Sequence, residues 1–153
     1  MSEEKRELRA VTVERTSSRQ YRATSTETGA SIEFGQGEGL LSPVELLLAA
    51  IAGCSSIDVD VATTRRSEPE TFMVEAAGYK VTEDGASRMK DISMSFDLKF
   101  PDTEEGRKAA GMADRIIKLS HDKYCTVSRT VEHGTAVGHD VSVGVDGAAG
   151  ETP

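Results

Sequence analysis

Cysteine is scarce in this chain: Cys54 and Cys125 are the only two in 153 residues. They stand far apart, which excludes a CxxC metal knuckle or a dithiol motif of the thioredoxin kind. Two are also too few for a zinc site built from four cysteines of one chain. Histidine is hardly commoner. His121, His133 and His139 fall in loops and turns without helical i,i+4 spacing, so neither a mixed metal site nor a cofactor is expected. Basic residues are outnumbered, 18 against 26 acidic, for a net charge of −8. That balance argues against nucleic acid and anionic membrane surfaces as partners. No apolar segment follows Met1-Ser2-Glu3-Glu4-Lys5-Arg6, so no signal peptide is expected. The chain's main apolar run is short for a bilayer and carries Pro43 and Glu45 at its head, so no membrane span is expected either. A cytoplasmic location follows, where cysteines stay reduced unless they do redox work. Repeats and low-complexity blocks are absent. Gly35-Gln36-Gly37-Glu38-Gly39 lacks the GxxxxGK[ST] spacing of a phosphate loop and reads as a flexible lead-in.

What that lead-in delivers is the stretch from Ser42 to about Thr64. Ser42 and Glu45 have the spacing of a capping box, with Pro43 at the first helical position. From Leu46 to Ala52 no residue is polar, so the helix should be buried on all sides. Cys54 lies in its middle. Gly53 strips away one neighbouring side chain, and Ser55, Ser56 and Asp58 restore polarity. A core helix that opens onto a pocket at Cys54 fits this pattern; a small buried hydrophobe is the plainer reading of the same thiol.

Around this helix the periodicities give an α+β domain. Leu8–Thr16, Arg19–Thr26 and Ala30–Phe34 read as an antiparallel meander. Thr71–Thr82 and Met89–Phe100 read as a hairpin, the second strand alternating through Ile92, Met94, Phe96 and Leu98. Asp102 and Glu105 suggest a cap for an amphipathic helix ending at Ser120. Tyr124–Val131 suggests a short third helix with Cys125 in its first turn, and Thr135–Val143 a closing strand. Residues 1–153 form one domain, with tails at 1–6 and 146–153. A single sheet layer covers only one side of an all-apolar helix, so a homodimer is expected.

The run Ser42-Pro43-x-Glu45-Leu46-Leu47, then Ala50, Gly53-Cys54, and Lys123-Tyr124-Cys125-Thr126-Val127-Ser128 resembles the OsmC/Ohr family of thiol-dependent hydroperoxide reductases. Ile57-Asp58-Val59 is nearest to its YhfA-like branch. The resemblance spans about residues 8–143. It implies an OsmC-like fold: antiparallel sheet around a long central helix, in intertwined dimers with active sites at the subunit interface. It further implies Cys54 as the peroxidatic thiol, Cys125 as the resolving thiol, and Arg19, in Arg19-Gln20-Tyr21-Arg22, as the cation that stabilises the thiolate. The family commonly has a glutamate directly after the proline to hold that arginine. Here the position is Val44 and the acid is Glu45, which caps the helix and is the remaining candidate.

A free thiol is only a few per cent ionised at neutral pH, and burial makes it less so; a cation within ~4–6 Å reverses this. An N-terminal helix position would also favour a thiolate at Cys125. A pocket lined by Leu47, Ile51, Ile57 and Met112 would suit bulky alkyl peroxides. The implied activity is reduction of organic hydroperoxides through a Cys54/Cys125 thiol–disulfide cycle, returned by an external dithiol reductant. The alternative is a non-peroxidase module of the same fold that binds a small apolar or thiol-bearing ligand, a reading that the loss of the glutamate at Val44 favours.

Overall fold

The computed structural model describes residues 3–147. Two antiparallel sheets and three helices follow in the order the periodicities give. Strands β1 (Val11–Ser17), β2 (Gln20–Ser25) and β3 (Ser31–Gly35) form the meander, in the order β1-β2-β3. Tyr21 pairs with Phe34 across β2 and β3, their rings 5.7 Å apart, and Phe34 is buried. β1 is exposed along its whole length.

Helix α1 (Pro43–Thr63) begins as its first residues dictate. The Ser42 hydroxyl accepts from the Glu45 N–H at 3.2 Å, and the Glu45 carboxylate accepts from the Ser42 N–H at 2.9 Å. Two of the orphan amides at the helix start are thereby satisfied. Along α1 the buried residues are Ile51, Ser55, Val59 and Thr63, a single stripe at i+4 spacing. Burial on all sides is therefore not reached within one chain: Leu47, Ile57 and Val61 remain exposed. By length and composition α1 is apolar enough to cross a membrane, contrary to the expectation from its apolar run. It instead packs on α2, β4 and α3, and hydrogen-bonds laterally through Ser55 and Asp58, as a core helix does.

Strands β4 (Thr71–Glu83) and β5 (Ala86–Lys99) form a long two-stranded sheet. Val74 pairs with Phe96 and Ala76 with Met94, which places the alternating apolar residues on one face. Helix α2 (Glu104–Leu119) takes its cap one residue later than expected. Its N-cap is Thr103, whose hydroxyl accepts from the Gly106 N–H at 3.0 Å, while Asp102 pairs with Arg107 instead. Gly106 is buried against the Pro101 carbonyl so closely that a Cβ there would overlap it. Ala109 and Ala113 are the buried residues of the next turns.

The chain then widens into a π-helical turn, Ser120–Tyr124, before α3 (Thr126–His133). This turn takes in Tyr124, assigned to the third helix by pattern, so α3 starts two residues later and Cys125 is its N-cap rather than part of its first turn. Thr135–Val143, expected as a strand, is irregular and unpaired, with Val137, Val141 and Val143 exposed. A strand cannot form without a neighbour to take its backbone hydrogen bonds, and the described residues of one protomer do not supply it. Of the expected tails, Met1, Ser2 and residues 148–153 lie outside the described residues.

Candidate functional site

The two cysteines meet where α1 passes the start of α3. Cys125 is fully buried, and Cys54 is part-buried beside it, close enough for Cys125 to act on the Cys54 thiol. Both are free thiols. The Cys125 thiol donates to Ser128 Oγ at 3.1 Å, and its sulfur lies 4.0 Å from the Ile51 carbonyl oxygen.

Amide groups at the start of α3 act on Cys54. The N–H groups of Val127 and Thr126 favour the Cys54 thiolate. Cys125 stands at the N-cap but makes no side-chain cap hydrogen bond, its thiol turning to Ser128, which leaves those amides to a thiol on the facing helix. Burial nevertheless pushes the Cys54 thiol up. The Val127 amide opposes this, Cys125 adds to it, and the Thr126 amide opposes it in lesser measure. No cation among the described residues contributes.

Arg19 lies on the tight turn between β1 and β2 with φ of 60°, in the left-handed region that non-glycine residues rarely occupy. Its carbonyl accepts from the Gln36 N–H at 2.9 Å, and its guanidinium reaches Gln36 Oε1 at 3.4 Å. Gly35 makes this approach possible, since a Cβ there would strike the Arg19 carbonyl. Arg19 is thus held firmly but is not among the groups acting on Cys54 within one chain. Glu45 caps α1, nine residues before Cys54 and so roughly 14 Å along the helix axis. The Ser42 backbone amide, then the Ser42 hydroxyl, hold its carboxyl below the usual range.

Of the residues expected to line an apolar pocket, only Ile51 does so beside the thiols. A cavity of about 460 Å³ runs between β5 and the two C-terminal helices, lined by Ile92, Met94, Phe96, Ile117 and Val131. Ile51 and Ser128, both touching the Cys125 sulfur, form its wall. His121 and Glu132 close its rim, 3.1 Å apart. Leu47 and Ile57 are exposed, and Met112 faces a separate basic hollow with Arg66, Lys108 and Arg115.

Pattern reading passed over a polar chain beside the thiols. Ser120 Oγ lies 2.6 Å from Asp58 Oδ2 and 3.3 Å from Ser55 Oγ, with both serines fully buried or nearly so. The signal available in the sequence was the return of polarity at Ser55 and Asp58; its partner at the end of α2 could not be located by spacing.

Residues 35–140 match the family described as OsmC-like protein. An uncharacterized protein of Mycobacterium tuberculosis is 30% identical over 132 residues, covering 84% of this chain and 93% of that protein. Protein YhfA of Escherichia coli is 30% identical over 112 residues, covering 73% and 80%. Among solved structures, a hypothetical protein from Aquifex aeolicus superposes with a TM-score of 0.66 at 25% identity, covering 85% of this chain and 91% of that one. An organic hydroperoxide resistance protein from Elizabethkingia anophelis superposes at 0.55 and 14% identity, over 84% and 91%, a likeness of fold.

Proposed function

This chain belongs to the OsmC-like family, and from that premise we propose that it is a thiol-dependent peroxidase that reduces organic hydroperoxides. The observation that carries this reading is the meeting of Cys54 and Cys125, brought together from distant parts of the chain with helix amides that favour the thiolate of the more accessible sulfur. The Cys54 thiolate attacks the distal peroxide oxygen. The O–O bond breaks, the alkoxide leaves and takes a proton to become the alcohol, and Cys54 becomes a sulfenic acid. The Cys125 sulfur then attacks the Cys54 sulfur, water leaves, and a disulfide joins the two. An external dithiol returns both thiols and is itself oxidised to its disulfide.

The cation that this chemistry needs comes, in this reading, from a second protomer. Burial raises the Cys54 pKa in a single chain, and an arginine within ~4–6 Å would lower it again. Arg19 is the candidate, fixed at its turn by Gln36 and delivered across a homodimer interface. Glu45 keeps its helix-capping role.

The experiment is consumption of cumene hydroperoxide with a dithiol reductant. Cys54→Ser is expected to abolish turnover. Cys125→Ser is expected to permit a single oxidation of Cys54 and then stall. Wild-type rates in the Cys54→Ser protein would refute the nucleophile. A second reading, a non-peroxidase module for a small apolar ligand, is favoured by one feature, the 460 Å³ apolar cavity walled by Ile51 and Ser128. Absence of peroxide turnover in the cysteine-intact dimer would favour it over the first.

A further inference from the structure

The polar chain beside the thiols has a definite direction. A serine hydroxyl carries one proton. Ser120 is 2.6 Å from the Asp58 carboxyl oxygen, which accepts, so the Ser120 proton goes there. The 3.3 Å contact between the two serines must then be donated by Ser55. The order is Ser55 to Ser120 to Asp58. Both of the α1 residues in this chain lie close to the reactive thiol: Ser55 follows Cys54 directly, and Asp58 stands one helical turn further on the same face.

Ser120 is held at its other end as well. Its carbonyl accepts the Cys125 N–H at 2.7 Å across the π-helical turn. Two further ties brace that turn against α3, from Arg129 to the Asp122 carbonyl at 3.0 Å and between His121 and Glu132. A closed circuit results. Cys54 is joined through α1 to Ser55 and Asp58, these to the Ser120 side chain, the Ser120 carbonyl to the Cys125 amide, and Cys125 back to Cys54.

From this circuit we infer that Ser55, Ser120 and Asp58 are positioning residues that hold Cys125 in register with Cys54 and set how fast Cys125 attacks once Cys54 is modified. A disulfide tolerates only a narrow range of Cα separations and torsions, so a small displacement of the turn would lower the rate steeply. Two buried serines at this contact would otherwise be better replaced by alanines, because each buried hydroxyl must be desolvated and then satisfied. The inference rests on the pairing of the two cysteines proposed above, not on peroxide being the oxidant.

A probe independent of peroxide tests it: the full-length protein with 5,5′-dithiobis(2-nitrobenzoate). The part-buried Cys54 exchanges first, forming a mixed disulfide and releasing one thionitrobenzoate. Cys125 then attacks the Cys54 sulfur, the bond to the second thionitrobenzoate breaks, and the thiol proton passes to solvent. That second release is first-order and independent of reagent concentration. Ser120→Ala and Asp58→Ala are expected to slow it by about tenfold or more, the scale of a lost charge-assisted hydrogen bond. The first release should change by less than about twofold, since it needs the Cys54 thiol alone and not Cys125 held beside it. Asp58→Asn keeps an oxygen acceptor and should restore most of the second rate, while the Ser120→Ala/Asp58→Ala double variant should be no slower than either single one. An unchanged second release in both single variants overturns the inference. So does additive slowing in the double variant, or Asp58→Asn as slow as Asp58→Ala. Failure of the wild-type protein to turn over peroxide, with these thiol results intact, would remove the peroxidase reading alone.

Discussion

At Cys54, burial and helix amides pull the thiol in opposite directions, and burial prevails in a single chain. The consequence is measurable as a pH profile. Alkylation of Cys54 by iodoacetamide should rise with pH, with a midpoint above the ~8.5 of an unhindered thiol when the protein is dilute. At concentrations that favour the dimer the midpoint should fall, and Arg19→Ala should remove that fall. The same shift has a stability sign. A thiol whose pKa is raised by folding contributes stability that is present below its unfolded pKa and lost as pH rises through its folded value. What was legible in sequence at this scale was the identity of the two cysteines, because Gly53-Cys54 and Tyr124-Cys125 sit in recognisable runs. The destination of the α3 amides was not. It depends on how α3 sits against α1, and no local pattern encodes that.

Among the elements, α1 owes its start to a few adjacent residues, and pattern reading reached it for that reason. Ser42→Ala should lower the free energy of unfolding by about 1 kcal/mol, read from a urea titration. Glu45 titrates below the usual carboxylate range because of its bonds to Ser42. Its contribution is therefore present above the ordinary carboxylate pKa and lost as pH falls through the folded value. The Ser42→Ala protein should show a shallower loss of stability on the acid side. The elements that pattern reading misplaced are those fixed by distant contacts. Thr103 rather than Asp102 caps α2 because Gly106 must lie against Pro101. The π-helical turn displaces α3 because Ser120 is tied to α1. The closing strand lacks a neighbour among the described residues.

For the whole molecule, the accessible surface is the quantity that decides. One chain of 16.4 kDa exposes 12227 Å², where a compact monomer of that mass exposes roughly 7500 Å². Exposed features include the outer face of α1, all of β1, the free edges of the β4–β5 sheet, and the valines after α3. Long unpaired edges and an exposed apolar helix face are surfaces that folded proteins cover, and an excess of this size on each chain is more than enough for the interface of an obligate dimer. Sedimentation velocity at micromolar concentration should give twice the chain mass. Ile57→Asp, which places a charge on the exposed face of α1, should shift the protein toward the single-chain mass. A wild-type protein that sediments as one chain would end the dimer reading. The apolar face that α1 leaves exposed was legible in the all-apolar run from Leu46 to Ala52, since one sheet layer cannot surround a helix.

The convergence of Cys54 and Cys125 from opposite halves of the chain also bears on endurance. A bond between the two sulfurs would tie the loop from residue 54 to residue 125 and strip conformational freedom from the unfolded chain, worth about 4 kcal/mol by loop-closure entropy. The oxidised protein would melt at a higher temperature than the reduced one, so that its heat resistance would register how recently it had met an oxidant.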